Sequence, residues 1–153
     1  MDQPQDVLVQ ASEMPWQPFG PSTWIKVVHV SLETGLWSCL LKLDPGAQFT
    51  RHFHKGAVDF FVLKGVLTYR AGVVREGGFV YEPLGVLHEA TLADEETIVF
   101  AHFYGPVEFL DADDNVILTL DWKYVNDNLR GTTHPTAGEP AAVMSVQRTP
   151  ALT

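Results

Sequence analysis

The chain has 153 residues, enough for one domain with a substantial core and no covalent staples. Its 19 acidic residues against 10 basic ones leave a formal net charge of -9, which argues against nucleic acid or an anionic membrane as partner. A single cysteine, Cys39, excludes an intramolecular disulfide, and its apolar setting reads as a buried thiol in a protein at ease in reducing surroundings.

The first 22 residues read as an N-terminal arm. Its start, Met1 to Asp6, is acidic and polar with no signal-like apolar segment, and no apolar run in the chain approaches 18 residues, so a soluble cytoplasmic protein is expected. The apolar stretch Met14-Pro15-Trp16-Gln17-Pro18-Phe19 is read as an inter-subunit strap.

Residues 23–122 read as an all-β barrel. Short β-rich runs recur at Trp24–Val30, Gly35–Leu43, Phe60–Leu63, Val66–Tyr69, Phe79–Tyr81, Thr97–Tyr104 and Val116–Leu120. Turn chemistry separates them, at Asp44-Pro45-Gly46, Lys64-Gly65, Glu76-Gly77-Gly78, Asp94-Glu95-Glu96 and Asp113-Asp114-Asn115. Many short strands at even spacing predict an antiparallel sandwich or barrel. The one helix candidate begins at Trp122 and is stopped by Gly131, making a short C-terminal helix over 123–131; residues 132–153 lose hydrophobic periodicity and read as a flexible tail.

Chemistry concentrates in three histidines. In His52-Phe53-His54 the two imidazoles share one face of an extended strand, about 6.6 Å apart along it. A third, His88, closes Pro83-Leu84-Gly85-Val86-Leu87-His88. Imidazole triads suit zinc, iron, copper and nickel rather than magnesium or calcium. If His52 and His54 face the lumen, Arg51 and Phe53 face outward. The competing reading of the pair is two exposed histidines on a charged edge beside Arg51 and Lys55.

These segments resemble the cupin motifs: Gly46 through His54 matches the opening glycine and His-x-His, Gly65 follows His54 by eleven residues, and Pro83 to His88 matches Pro-x-Gly-x-x-His. The resemblance implies a single-domain jelly roll, a double-stranded β-helix. It also places Val58 where the carboxylate ligand of that family usually stands, with Asp59 one position later. Neighbouring strand residues face opposite ways, so Asp59 is expected as a solvated carboxylate or one behind the ligands, and three protein ligands are expected.

From Met14 to Trp122 the chain further resembles small cupins of the acetylacetone-cleaving dioxygenase and dihydroxyacetophenone dioxygenase-like group. The segments Phe103-Tyr104-Gly105-Pro106 and Asp113-Asp114-Asn115-Val116-Ile117 carry that likeness beyond the histidines. The resemblance implies metal ligands at His52, His54 and His88, catalytic polar residues at Arg70 and Glu82, and a substrate pocket at Phe49 and Phe103. Glu82 lies in an apolar stretch where an unpaired carboxylate is costly, which suits pairing with Arg70; the alternative is an exposed glutamate and an exposed arginine.

His102, beside Phe103, is expected to face away from the metal and to be structural, with replacement of a ligand as the alternative; His29 reads as a satisfied strand residue, and His134 falls in the tail. The implied cofactor is Fe2+, with Zn2+ or Ni2+ able to occupy the same imidazoles. The implied partners are a small carbonyl substrate, dioxygen and further copies of the chain in a homodimer or homotetramer. The implied activity is iron-dependent dioxygenation that cleaves a carbon–carbon bond of a 1,3-dicarbonyl or hydroxyketone. The alternative is a non-catalytic sensory cupin that holds a metal or ligand, as in zinc-bearing anti-sigma factors.

Overall fold

The computed structural model describes residues 6–89 and 91–131. The expected tail and His134 lie outside the described residues. A 3-10 turn at Ala11–Glu13 leads into β1 (Gln17–Gly20), β2 (Thr23–Val30), β3 (Trp37–Leu43), β4 (Gln48–Phe49), β5 (His52–His54), β6 (Val58–Lys64), β7 (Val66–Tyr69), β8 (Gly72–Arg75), β9 (Phe79–Glu82), β10 (Leu87–His88), β11 (Thr91–Ala93), β12 (Thr97–Phe103), β13 (Val107–Leu110) and β14 (Val116–Leu120). One helix, α1 (Trp122–Asn128), follows.

All recorded strand pairs are antiparallel, in a six-stranded sheet ordered β1-β2-β3-β12-β6-β9 and two four-stranded sheets ordered β10-β5-β13-β14 and β4-β11-β7-β8. Side chains from all three meet in one core, where Ile25, Trp37 and Leu43 are fully enclosed beside Val107 and Leu67. This is the jelly-roll barrel of the cupins. The alternation that drives it is plain in β12, where Thr97, Val99, Ala101 and Phe103 are buried and Ile98, Phe100 and His102 are half-exposed.

Two close backbone approaches fix strand connections. Gly65 turns β6 into β7 at φ +84°, and a Cβ there would lie 2.5 Å from the carbonyl oxygen of Glu96. The Thr97 hydroxyl ties the same corner by bonding the amide and carbonyl of Val66. Gly56 and Gly105 bring two backbone segments into direct contact, since a Cβ on Gly56 would lie 2.3 Å from the Gly105 Cα.

Within the chain, the N-terminal segment lies against its own barrel. Met14 is buried, Phe19 packs on the core, and the Trp16 ring lies under the ammonium groups of Lys26 and Lys42 at 4.5 and 5.1 Å. Pro15 and Pro18 of the same stretch are exposed. At the other end, Asp121 caps α1 by accepting from the Tyr124 amide at 2.7 Å, and the chain leaves the helix through Gly131 at φ +72°.

Candidate metal centre

Strand register assembles the three histidines. β5 lies between β10 and β13, with His88 directly opposite His52 on one side and Phe109 opposite it on the other. Directly opposed residues share a face, so His88 and His52 stand side by side, and His54 joins them two residues along β5. Ring centroids are 5.1 Å apart for His52 and His54, 5.1 Å for His52 and His88, and 5.0 Å for His54 and His88. One ligand nitrogen from each lies within 4.8 Å of the others, a cluster that bonds of about 2 Å to one ion would draw in to about 3–3.5 Å. The flanking Arg51 and Phe53 are only half-buried, as strand alternation requires.

The electrostatics suit a cation. His52 Nδ1 sits 2.7 Å from the Thr50 carbonyl oxygen, to which it donates, so its Nε2 is presented as an acceptor. Burial, with the neighbouring imidazoles, pulls His54 down to about 3; burial, His52 and Arg70 bring His88 down to about 4; burial lowers His52. Neutral imidazoles are the form a metal binds. Both nitrogens of His54 and the Nε2 of His88 are buried without a hydrogen-bond partner among the described residues, a cost that a metal bond would relieve. The donor set therefore fits a borderline transition-metal ion.

The carboxylates divide between the two faces of the six-stranded sheet. Val58 is buried and lies opposite Glu82 of β9, whose side chain is only 12% exposed. The Glu82 carboxylate thus enters beside Val58, 3.2 Å from His88 Nε2 and 3.6 Å from His54 Nε2, without hydrogen-bond alignment to either. It is not in the group of mutually close ligand atoms. Burial pushes Glu82 up to about 7, so near neutral pH both its acid and its carboxylate form are populated beside the neutral imidazoles. Asp59 faces the other way: its carboxylate takes His102 Nδ1 at 2.8 Å and the Tyr104 hydroxyl at 2.7 Å. His102 is therefore turned from the triad as well.

Pairing of Glu82 with Arg70 is not what the fold provides. Arg70 is exposed in the turn between β7 and β8, and among the described residues no ion pair joins it to Glu82. Its charge still reaches the centre, where it helps to hold His88 neutral.

A cavity with a free volume of about 60 Å³ opens beside the histidines, room for a few waters or a molecule of that combined size. Phe49 and Phe103 both line it, together with Phe19, Phe60, Phe109 and Thr91. Phe109 lies 5.4 Å from His52 between ring centroids, and Tyr69 lies 6.0 Å from His88. Phe109, Phe19 and Tyr69 were not singled out from the sequence; the alternation of Val107 and Phe109 was the one local signal that β13 turns a ring inward.

Comparison with known proteins adds to this geometry. A family model described as the ChrR cupin-like domain matches residues 4–108. The chain is 30% identical over 126 residues to the acetylacetone-cleaving enzyme of Acinetobacter johnsonii, covering 74% of this chain and 82% of that one. Among solved structures, the acetylacetone dioxygenase of Acinetobacter johnsonii superposes with a TM-score of 0.76 at 24% identity, over 83% of this chain and 93% of that one. An RmlC-like cupin protein from Ralstonia eutropha gives 0.72 at 28% identity, over 78% of this chain and 82% of that one.

Proposed function

The chain belongs to the ChrR cupin-like family, and from that premise we propose that it is a mononuclear non-haem Fe(II) dioxygenase that cleaves a carbon–carbon bond of a small 1,3-dicarbonyl or hydroxyketone. The observation that carries this reading is the convergence of three buried, neutral imidazoles in an aromatic cavity, with Val58 at the position where a carboxylate ligand would stand. The acetylacetone-cleaving relative supports the reaction class.

His52, His54 and His88 would hold the ion. When bound, it supplies a Lewis-acid anchor for a chelating oxygen pair and the redox capacity that dioxygen chemistry needs. Three neutral ligands leave its charge uncompensated, so an anionic substrate such as an enolate is favoured. Glu82, with its affinity for a proton raised by burial, would take the acidic C–H proton of the substrate at Oε1 and hold it away from water. Arg70 would add positive potential on the His88 side and draw the anion in. Phe49 and Phe103 would orient the carbon skeleton and exclude water.

The test is oxygen uptake by protein loaded anaerobically with Fe2+ and mixed with pentane-2,4-dione or related dicarbonyls and hydroxyketones. Consumption of oxygen with matching loss of substrate is expected. No uptake across the panel by protein that retains stoichiometric iron would overturn the catalytic reading. It would favour the second one, a sensory cupin that holds metal without turnover.

A further inference from the structure

The two chain segments that carry His52 and His88 run side by side in one register that is broken at the metal centre. Leu87 pairs with Phe53 and His88 with His52, the ladder then stops, and it resumes in the same register with Thr91 opposite Phe49 and Leu92 opposite Gln48. Within the gap the Thr50 carbonyl oxygen accepts from the His52 ring at 2.7 Å. β10 is also the edge of its sheet, paired with β5 alone, so His88 has one strand neighbour where His52 has two. The distance between these two ligands therefore depends on what spans the gap.

A charged network spans it from outside the barrel wall. Arg51 and Glu89 occupy the first positions of the gap, and because His52 and His88 face the lumen, these neighbours face outward. Arg51 Nη1 meets Glu89 Oε1 at 2.8 Å, while Nε and Nη2 meet Asp114 Oδ1 at 2.9 and 2.8 Å. Asp114 is held ready by the β13–β14 turn, where it takes φ +64° and where Asp111 Oδ1 accepts from the amides of Asp113 and Asn115, each at 2.9 Å. A non-glycine residue in that left-handed region is uncommon, and aspartate is among those that tolerate it. Isolated exposed ion pairs add little, but here every nitrogen of one guanidinium is engaged, its side chain is 31% exposed, and three chain segments are joined.

We propose that Arg51 is a positioning residue of the metal centre: bound to Glu89 and Asp114, it holds the segment of His88 against that of His52 and so sets the affinity and geometry of the bound ion. This role rests on the metal reading of the three histidines and not on the dioxygenase reaction. Drawing three nitrogens onto one ion restricts where His88 can stand, and a pair of segments already fixed at that spacing loses less freedom on binding. Residues that orient metal ligands without touching the metal change affinity by about tenfold to a hundredfold. Arg51 acts through the backbone beside two ligands, so the lower end, about tenfold, is expected.

Titration of the metal-free full chain with Co2+ tests this, since the visible bands of bound Co2+ report ligand geometry. Arg51→Gln and Glu89→Gln are compared with Arg51→Lys and with Lys64→Gln, a control that removes an exposed ion pair, 2.6 Å to Glu96, away from the ligand strands. Far-UV circular dichroism reports that each variant is folded, and Glu89→Gln, which leaves Arg51 bound to Asp114, carries the test independently of Arg51→Gln. Co2+ affinity about tenfold weaker with shifted bands in both glutamine variants, partial recovery in Arg51→Lys and no change in Lys64→Gln are the expected results. Wild-type affinity and bands in the folded Arg51→Gln and Glu89→Gln proteins would overturn the proposal, as would equal weakening in Lys64→Gln. A wild type that binds no Co2+ would refute the three-histidine centre itself, and the positioning role with it.

Discussion

Glu82 Oε1 stands 3.2 Å from His88 Nε2, where strand β9 delivers a carboxylate beside the buried Val58 of β6. The acid is thus next to the imidazoles without belonging to their mutually close set. Glu82→Gln keeps the shape and removes the base. Elemental analysis is expected to find the metal retained, while oxygen uptake falls by about a hundredfold to ten-thousandfold, the range that removal of a positioned base gives. Loss of metal from the folded variant would instead make Glu82 a ligand.

His52→Ala, His54→Ala and His88→Ala each remove one of three donors, and each is expected to abolish stoichiometric metal retention. His102→Ala is expected to keep the metal, because its ring is bound to Asp59 on the opposite face of the sheet. Equal metal content in His88→Ala and the wild type would refute the site.

Asp59→Ala tests the same division from the outer face. Two hydrogen bonds to partly exposed partners are lost, so destabilisation of about 1–2 kcal/mol is expected, without metal loss. A folded Asp59→Ala protein that cannot hold metal would place the carboxylate in the centre. Urea unfolding combined with metal analysis separates the two.

In metal-free protein the imidazoles set a pH dependence. His54 and His88 are depressed to about 3 and about 4 from 6.5, so the unfolded chain binds their protons first as pH falls. Their contribution is complete above pH 6.5 and is lost as pH drops toward those values. Glu82, raised from 4.5 to about 7, works in the opposite sense and loses its contribution as pH rises through that interval. With the histidines in the majority, the urea midpoint of the metal-free protein is expected to fall on acidification from pH 7 to pH 5, and to fall less in His54→Gln. A midpoint that rises over that range would contradict the neutral triad.

Gly56→Ala probes the backbone crossing next to His54. The added methyl would meet the Gly105 backbone at 2.3 Å, so the two segments must separate. A loss of roughly 1–3 kcal/mol is expected from overpacking, together with weaker metal retention. Wild-type stability in thermal unfolding would show that the crossing can relax.

Local sequence determined much of this protein. β-rich runs between turn signals located β2, β3, β6, β7, β9, β12 and β14, and the His-x-His spacing placed His52 and His54 on one face. The strands β1, β4, β8, β10, β11 and β13 were not recognised, because two to four residues outside a β-rich run bounded by turn residues do not rise above turn composition. Val58 and Asp59 also sorted correctly between the faces, since alternation is a property of the backbone itself.

Which residues meet across strands was decided by tertiary structure alone. His88 reaches His52 through the β5–β10 register, and Glu82 reaches the histidines rather than Arg70 because β9 pairs with β6 while Arg70 sits in an exposed turn. The arm around Met14–Phe19 folds onto its own core for the same kind of reason: apolar residues are satisfied by whatever surface closure of the barrel brings near, and no local pattern records which surface that is.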